Sequence, residues 1–360
     1  MMRGVEMNLT QEQRNAITKA ADAIGEGSLF RIGGYAGTGK TTIAKYIVAS
    51  VPNAMVCAFT GKAANRLAEK GLPMARTIHS TIYDYDPHRR KFHLKDKSDI
   101  SGRYFLIDEG SMVSRQLWED VNSFQKPIIV LGDPGQLEPI GDDPNLMRDP
   151  DVVLYEIHRQ GEGSGIITFA NDIRCGLSIS RIDYPDVEIF YDQRPALTDA
   201  MQADVVICGF NRRRKSINDA FRSAKGYKDT LQAGEKVICL KNNMELGVFN
   251  GQMFDVREVK WETDQLISTI VADNGDCRDM MFHKLFFGKA RTVIDKHSNA
   301  RNISDAVVAD YGYAITAHKS QGSEWDNVLV IDQQCPYWDA VRWRYTAITR
   351  GAKTLKYFFE

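Results

Sequence analysis

The sequence predicts an α/β fold with a parallel sheet in each half of the chain, and three observations predict it. Apolar runs at 29–32, 54–59, 104–107 and 127–131 alternate with helical stretches. Polar or glycine residues follow each run, as at the carboxyl edge of a parallel sheet, where ligands bind. A second α/β pattern begins at 152–157 and closes with apolar runs at 328–331 and 355–359.

Taken in order, Thr10 before Gln11-Glu12-Gln13 is an N-cap opening a helix through Ile24, with Gly25 and Gly27 to end it. The strand 29–32 enters Gly34-Tyr35-Ala36-Gly37-Thr38-Gly39-Lys40-Thr41, which fits the phosphate-loop pattern GxxxxGK[ST], and a helix over 41–50 leaves it. Glycines let backbone N–H groups turn inward around an anionic oxygen, and the helix N-terminus adds its positive end. Gly37, Thr38, Gly39, Lys40, Thr41 and Thr42 are therefore expected to hold a nucleoside triphosphate. Lys40 would lie along the β- and γ-phosphates and Thr41 would ligand Mg²⁺.

The strand 54–59 passes into Thr60-Gly61-Lys62-Ala63-Ala64 and a helix to Lys70. Residues 83–103 break the rhythm: they are polar and basic, carry Pro87 and Phe92, and read as an inserted hairpin. The strand 104–107 ends in Asp108-Glu109. Hydrolysis needs one carboxylate on Mg²⁺ and another to orient or deprotonate water, roles that suit Asp108 and Glu109 in that order. The strand 127–131 ends in Gly132-Asp133-Pro134-Gly135-Gln136-Leu137. Gln136 there would sense the γ-phosphate through a neutral amide; an ordinary Asp-Pro-Gly turn is the plain alternative. Residues 142–151 read as a linker. A helix around 166–175 and the strand Val205–Cys208 follow. From Gly234 short strands at 236–240, 253–261 and 266–271, with Asn-Gly turns at 250–251 and 274–275, suggest a small inserted barrel. The α/β pattern resumes at Tyr313, with a helix near 338–349.

With 360 residues, 43% hydrophobic and 26% charged, the chain is expected to form two or three packed units. Its net charge of −1 provides no overall basic field, so nucleic-acid binding has to come from a local groove. Two basic runs stand out, 88–95 and Arg212-Arg213-Arg214-Lys215; a charge run is usually only a solvated face, so neither decides anything alone. The six cysteines are scattered without a CxxC pair, which argues against a zinc site or a disulfide scaffold. Nothing approaches a membrane span and the start lacks a signal-peptide core, so a cytoplasmic protein is expected.

Thr10-x-x-Gln13, GYAGTGKTT, FTGKAA, TIHS, LIDEGSMV, LGDPGQLEPI, Ile157-His158-Arg159-Gln160, YAITAHKSQGSE (313–324) and YTAITR (345–350) stand in this order. The set resembles superfamily 1 helicases, in their RecD-like, 5′-to-3′ branch. Phe59 stands where that family usually has proline, and Glu138 replaces another frequent proline. The resemblance implies two RecA-like domains, over 1–82 with 104–148 and over 149–233 with 305–360. It also implies a pin hairpin at 83–103 and a Src-homology-3-like barrel at 234–304. Gln13 would recognise the adenine of ATP, Glu324 the ribose, and Arg159 and Arg350 the γ-phosphate as arginine fingers. Thr60, Lys62, Thr77, His79, Ser80 and Phe92, with Asn211, Thr316, His318 and Lys319, would touch single-stranded DNA, mostly at its phosphates. The implied activity is ATP-driven translocation on single-stranded DNA and unwinding of forked duplex. A single-strand binding protein and replication or recombination proteins are the partners such a motor would meet. An RNA helicase, and an ATPase switch that binds single strands without unwinding, are the alternatives. No carboxylate cluster beyond the ATPase pair suggests a nuclease.

Overall fold

The computed structural model describes residues 9–86, 91–138, 144, 146–157, 164–177, 183–241, 243, 246, 248, 250–273, 276–289 and 306–360. It divides into two units, Met1–Gly163 and Ser164–Glu360.

In the first unit, α1 (Gln11–Glu26) opens on a capping box: the Thr10 hydroxyl accepts from the Gln13 N–H while the Gln13 side chain accepts from the Thr10 N–H. The helix runs through Gly25 and stops at Gly27, which takes φ 77°. Then follow β1 (Leu29–Gly34), α2 (Lys40–Ser50), β2 (Ala54–Ala58), α3 (Gly61–Glu69), β3 (Arg76–Thr77) and α4 (Ile78–Ile82). The unit continues with β4 (Tyr83–Asp86), β5 (Lys91–Leu94), β6 (Tyr104–Asp108), α5 (Arg115–Asn122), β7 (Ile128–Gly132) and β8 (Val152–Leu154). Six strands form one parallel sheet in the order β3-β2-β6-β7-β1-β8. β6 and β7 are apolar runs without alternation because both their faces are covered. Ala16, Ile43, Ala44 and Leu67 pack on one face, and Ile78, Ile82, Val113, Leu117 and Val121 on the other. The register aligns Gly33 with Gly132 and Ala58 with Asp108, so the loops leaving β1, β2, β6 and β7 emerge along one edge.

β4 and β5 pair antiparallel, with Tyr83 opposite Leu94 and Tyr85 opposite Phe92. This hairpin is narrower than the 83–103 segment that the sequence suggests, because a 3₁₀ turn at Lys97–Asp99 follows it.

The second unit contains α6 (Gly165–Arg174), β9 (Val187–Tyr191), α7 (Leu197–Gln202), β10 (Val205–Cys208), α8 (Asn211–Ala224), β11 (Lys236–Cys239), β12 (Met253–Glu262) and β13 (Leu266–Asp273). β14 (Asp276–His283), β15 (Ala309–Tyr311), β16 (Ala314–Thr316), α9 (Ala317–Ser320), β17 (Trp325–Asp332), α10 (Ala340–Ile348) and β18 (Gly351–Phe359) complete it. A second parallel sheet has the order β16-β10-β17-β18-β9. A five-stranded antiparallel sheet has the order β14-β13-β12-β11-β15, and a bridge from Phe282 to Val307 brings β14 beside the residues that lead into β15.

Three sequence expectations are corrected. The second domain does not begin at 149: β8 pairs with β1, placing Val152 beside Ile32, and the Asp151 carboxylate accepts from the Arg31 N–H at 2.7 Å. That pairing covers β1, which would otherwise be an edge strand. The antiparallel sheet does not end at 304, because β15 supplies its last strand. The run Arg212–Lys215 is not simply a solvated face. Arg214 is buried 2.5 Å from Asp310, Arg213 pairs with Glu360 and Lys215 with Asp219, so these charges fasten the unit to itself.

Candidate active site

The phosphate loop follows from glycine placement. Gly37 and Gly39 sit at φ 85° and 84°, which admits no ordinary side chain without strain. An added Cβ at Gly39 would lie 2.7 Å from the Gln13 amide nitrogen. That nitrogen donates to the Thr38 carbonyl at 3.0 Å, so Gln13 braces the loop from α1. The Thr38 hydroxyl donates to the Tyr35 carbonyl at 2.8 Å. Lys40 opens α2, carrying Thr41 and Thr42 in the first turn behind it. Its ammonium donates to the carbonyls of Gly34 at 2.5 Å and Tyr35 at 3.1 Å and lies 3.9 Å from the buried Asp133 carboxylate.

Asp108 ends β6, and Glu109 follows at φ 59°, a left-handed conformation costing on the order of 1 kcal/mol. The next position is confined to glycine, since a Cβ at Gly110 would lie 2.2 Å from Val130. Burial, and then Glu109, push the Asp108 carboxyl up to about 6, with Lys40 opposing. A carboxylate oxygen at Asp108 is a hard donor of the kind Mg²⁺ takes, with water and phosphate oxygens filling the other positions.

Gln136 is buried beside the same edge. Its amide nitrogen lies 3.5 Å from Asp133, and its amide oxygen is buried with no hydrogen-bond partner among the described residues. An orphaned acceptor of this kind marks a functional or incomplete site. Asp133 also accepts from the Gly135 N–H at 2.9 Å, so the turn that the sequence allowed as the plain alternative is present and shapes this corner.

The other candidates lie on two sheet edges. Thr60 and Thr77 cap α3 and α4 with their hydroxyls, accepting from Ala63 and Ser80. The Ser80 hydroxyl donates to the Thr77 carbonyl at 3.0 Å, and burial holds the His79 imidazole below its usual range. Phe92 is 44% exposed, and its ring stands edge-on to Tyr83 at 6.4 Å. In the second unit Cys208 pairs with Thr316, which brings Asn211 and Thr316–Lys319 to one edge. Lys319 donates to Asn250 at 2.7 Å, and burial lowers the pKa of both Lys319 and His318. Arg350 is 5% exposed and donates to the carbonyls of Thr346 and Ser323 and to the Thr349 hydroxyl. Glu324 directly precedes β17. Arg159, the Lys62 side chain, residues 142–143 of the linker and the turn at 274–275 lie outside the described residues.

The first half of the chain, residues 8–186, matches the family described as an AAA domain, and residues 311–355 match the UvrD-like helicase C-terminal domain. Among curated relatives, the conjugal transfer protein TraA of Rhizobium radiobacter is 27% identical, over 90% of this chain and 30% of its own length. The ATP-dependent RecD2 DNA helicase of Deinococcus radiodurans is 24% identical, over 95% of this chain and 48% of its own. The crystal structure of Bacteroides Pif1 bound to ssDNA superposes with a TM-score of 0.58 at 18% identity, covering 98% of this chain and 92% of that one, a likeness of fold. The chain is thus similar in sequence to the RecD2, Dda and Pif1 DNA helicases and similar in fold to Pif1. It spans about a third of the length of TraA and about half that of RecD2.

Sequence reasoning missed Asp133 as a site residue, although it holds Gly135, faces Lys40 and adjoins Gln136. A strand ending in Gly-Asp next to an expected phosphate sensor was the available signal. It also missed Glu12, whose carboxylate accepts from the N–H groups of Tyr155 at 3.1 Å and Glu156 at 3.3 Å. No local pattern announces that bond, which joins residues 143 and 144 positions apart. Among the described residues, no helix is long and apolar enough to cross a membrane.

Proposed function

We propose that this chain is an ATP-driven motor that moves 5′-to-3′ along single-stranded DNA and separates duplex ahead of it. What carries the reading is the convergence of the phosphate loop, Asp108-Glu109 and the orphaned Gln136 amide on one sheet edge, within a chain similar to the RecD2, Dda and Pif1 helicases. Gly37, Thr38 and Gly39 present backbone N–H groups to the phosphates, and Lys40 trades its loop carbonyls for phosphate oxygens. Thr41 and Asp108 would hold Mg²⁺, which when bound neutralises charge building on the phosphate oxygens. Glu109 orients the attacking water and accepts its proton, Gln136 senses the γ-phosphate, and Arg159 and Arg350 stabilise the transferring group. Gln13, braced against Thr38, reads the base, and Glu324 touches the ribose.

Single-stranded DNA is held through its phosphates by Thr60, Lys62, Thr77, His79 and Ser80 on one side and Asn211, Thr316, His318 and Lys319 on the other. Lys319 then exchanges its bond to Asn250 for a phosphate. The antiparallel sheet is the Src-homology-3-like insert of this family, and the β4–β5 hairpin is its pin. The deciding experiment is unwinding of matched forks with 5′ or 3′ tails, built in DNA and in RNA. Unwinding of 5′-tailed DNA forks is expected; activity confined to 3′ tails overturns the polarity, and activity confined to RNA overturns the substrate.

Phe92 is the ring that meets the junction. Stacking on an exposed base is worth about 1–3 kcal/mol, comparable to one duplex stacking step, so it can bias fraying. Phe92→Ala is therefore expected to retain single-strand-stimulated ATPase and translocation while losing fork unwinding. If its edge contact with Tyr83 merely anchors the hairpin, thermal stability or ATPase falls as well.

A further inference from the structure

A chain of packed residues joins the hydrolytic turn to the base of the hairpin. Glu109 leads into a 3₁₀ turn at Gly110–Met112, closed by the Met112 N–H donating to the Glu109 carbonyl at 3.0 Å and Val113 to Gly110 at 3.3 Å. Helix α5 starts directly beyond it, and its Leu117 and Val121 share one buried cluster with Val113, Ile107 and the α4 residues Ile78 and Ile82. On the outer side of α5, Asp120 accepts a hydrogen bond from the Tyr83 hydroxyl. Gln116 holds the same carboxylate, donating to both its oxygens at 3.2 Å. Tyr83 is the first residue of the hairpin and also the C-cap of α4, where its N–H donates to the His79 carbonyl. Its ring lies 5.6 Å from the His79 ring and 6.4 Å from Phe92. Burial and Asp120 hold the phenol well above its ordinary range, so it stays a donor at any working pH.

We infer that Tyr83 and Asp120 are positioning residues that couple the occupancy of the nucleotide site to the orientation of the hairpin. The inference rests on the helicase reading above for its purpose, but its geometry lies wholly within the first unit. α5 is the only described α-helix between the hydrolytic carboxylates and β7, and the 3₁₀ turn joins them, so a shift in the Asp108-Glu109 turn displaces its start. The packed core passes that shift to Asp120. A hydroxyl-to-carboxylate bond fixes direction as well as distance, so Tyr83 follows, and with it the His79 and Phe92 rings.

The test is hydrogen exchange on the full chain with and without a non-hydrolysable ATP analogue and Mg²⁺, in wild type, Tyr83→Phe and Asp120→Asn. Wild-type exchange over 83–94 is expected to change by about threefold or more when the analogue binds. Both variants should bind the analogue with unchanged affinity yet lose that response. In unwinding, both should fall about tenfold on 5′-tailed forks while single-strand-stimulated ATPase stays within about twofold. Three results overturn the coupling: a wild-type hairpin indifferent to the analogue, variants that keep the full response, or variants whose exchange rises equally with and without analogue. The last would mark a merely structural bond. A wild type that unwinds no fork removes the helicase reading, while the exchange comparison still decides the coupling.

Discussion

Glu109→Gln is expected to bind ATP and leave it uncleaved, while Lys40→Ala loses binding and cleavage together. The two residues share an edge but not a role. A general base contributes about 10²–10⁴ in rate, so the glutamine variant should fall by that much in turnover. The substitution keeps shape and hydrogen-bonding capacity, and it leaves the left-handed backbone at Glu109 unchanged. It also removes a negative charge that raises the pKa of Asp108. The Asp108 carboxyl then ionises more readily, so affinity for Mg²⁺ and nucleotide should hold or rise. In the wild type that affinity should weaken as pH falls through about 6, where Asp108 takes up its proton, and in Glu109→Gln the weakening should move to lower pH. Lys40→Ala acts in the opposite sense. It removes the ammonium that opposes the rise in the Asp108 pKa as well as a charge-assisted bond to phosphate worth about 1.5–3 kcal/mol, or about ten- to a hundredfold in affinity. Fluorescent-nucleotide titration beside single-turnover hydrolysis separates the outcomes. Equal losses of affinity in the two variants would refute the division of roles.

How much of this was legible beforehand depended on the range of the interactions. The phosphate loop, the N-cap at Thr10 and the apolar strands β6 and β7 are local patterns, and the structure has them within a residue or two. β8 was misassigned because nothing in Val152-Val153-Leu154 says which sheet it joins; the pairing with β1 is settled by contacts about 120 residues away, such as Arg31 with Asp151. The same limit hid β15, three residues long, whose partner β11 lies far upstream. Charge runs misled for a related reason. Arg214 looks solvated in sequence, yet a buried charge is tolerable when a partner such as Asp310 arrives from a distant strand. At the candidate site, Lys40, Asp108, Glu109 and Gln136 could be named from motifs. The buried partner that faces Lys40 and adjoins Gln136, Asp133, could not.

Arg350→Ala is expected to abolish DNA-stimulated hydrolysis, by about 10³–10⁵ if it acts as other arginine fingers do, while DNA binding survives. The arginine is neither a surface residue nor a loose one. Its Nε donates to the Thr346 carbonyl at 3.0 Å, Nη1 to Ser323 at 3.1 Å and Nη2 to the Thr349 hydroxyl at 3.0 Å. Its own carbonyl accepts from the Trp325 N–H at 2.9 Å, at the start of β17 and next to Glu324. A guanidinium held on three sides loses little freedom when it meets a phosphate, which is what preorganised charge stabilisation requires. The same bonds could instead serve only to fasten the end of α10, and alanine would then leave buried carbonyls unpaired at about 1–3 kcal/mol. Arg350→Lys distinguishes the two. A lysine keeps the charge and can still satisfy a carbonyl, but it cannot reproduce the planar fork. A finger predicts a lysine variant with near-native melting temperature and DNA affinity whose stimulated ATPase is still lost by at least about a hundredfold. A fastening role predicts that stability and ATPase fall together in alanine and recover together in lysine. Near-normal stimulated ATPase in a folded Arg350→Lys protein would remove Arg350 from the hydrolytic machinery.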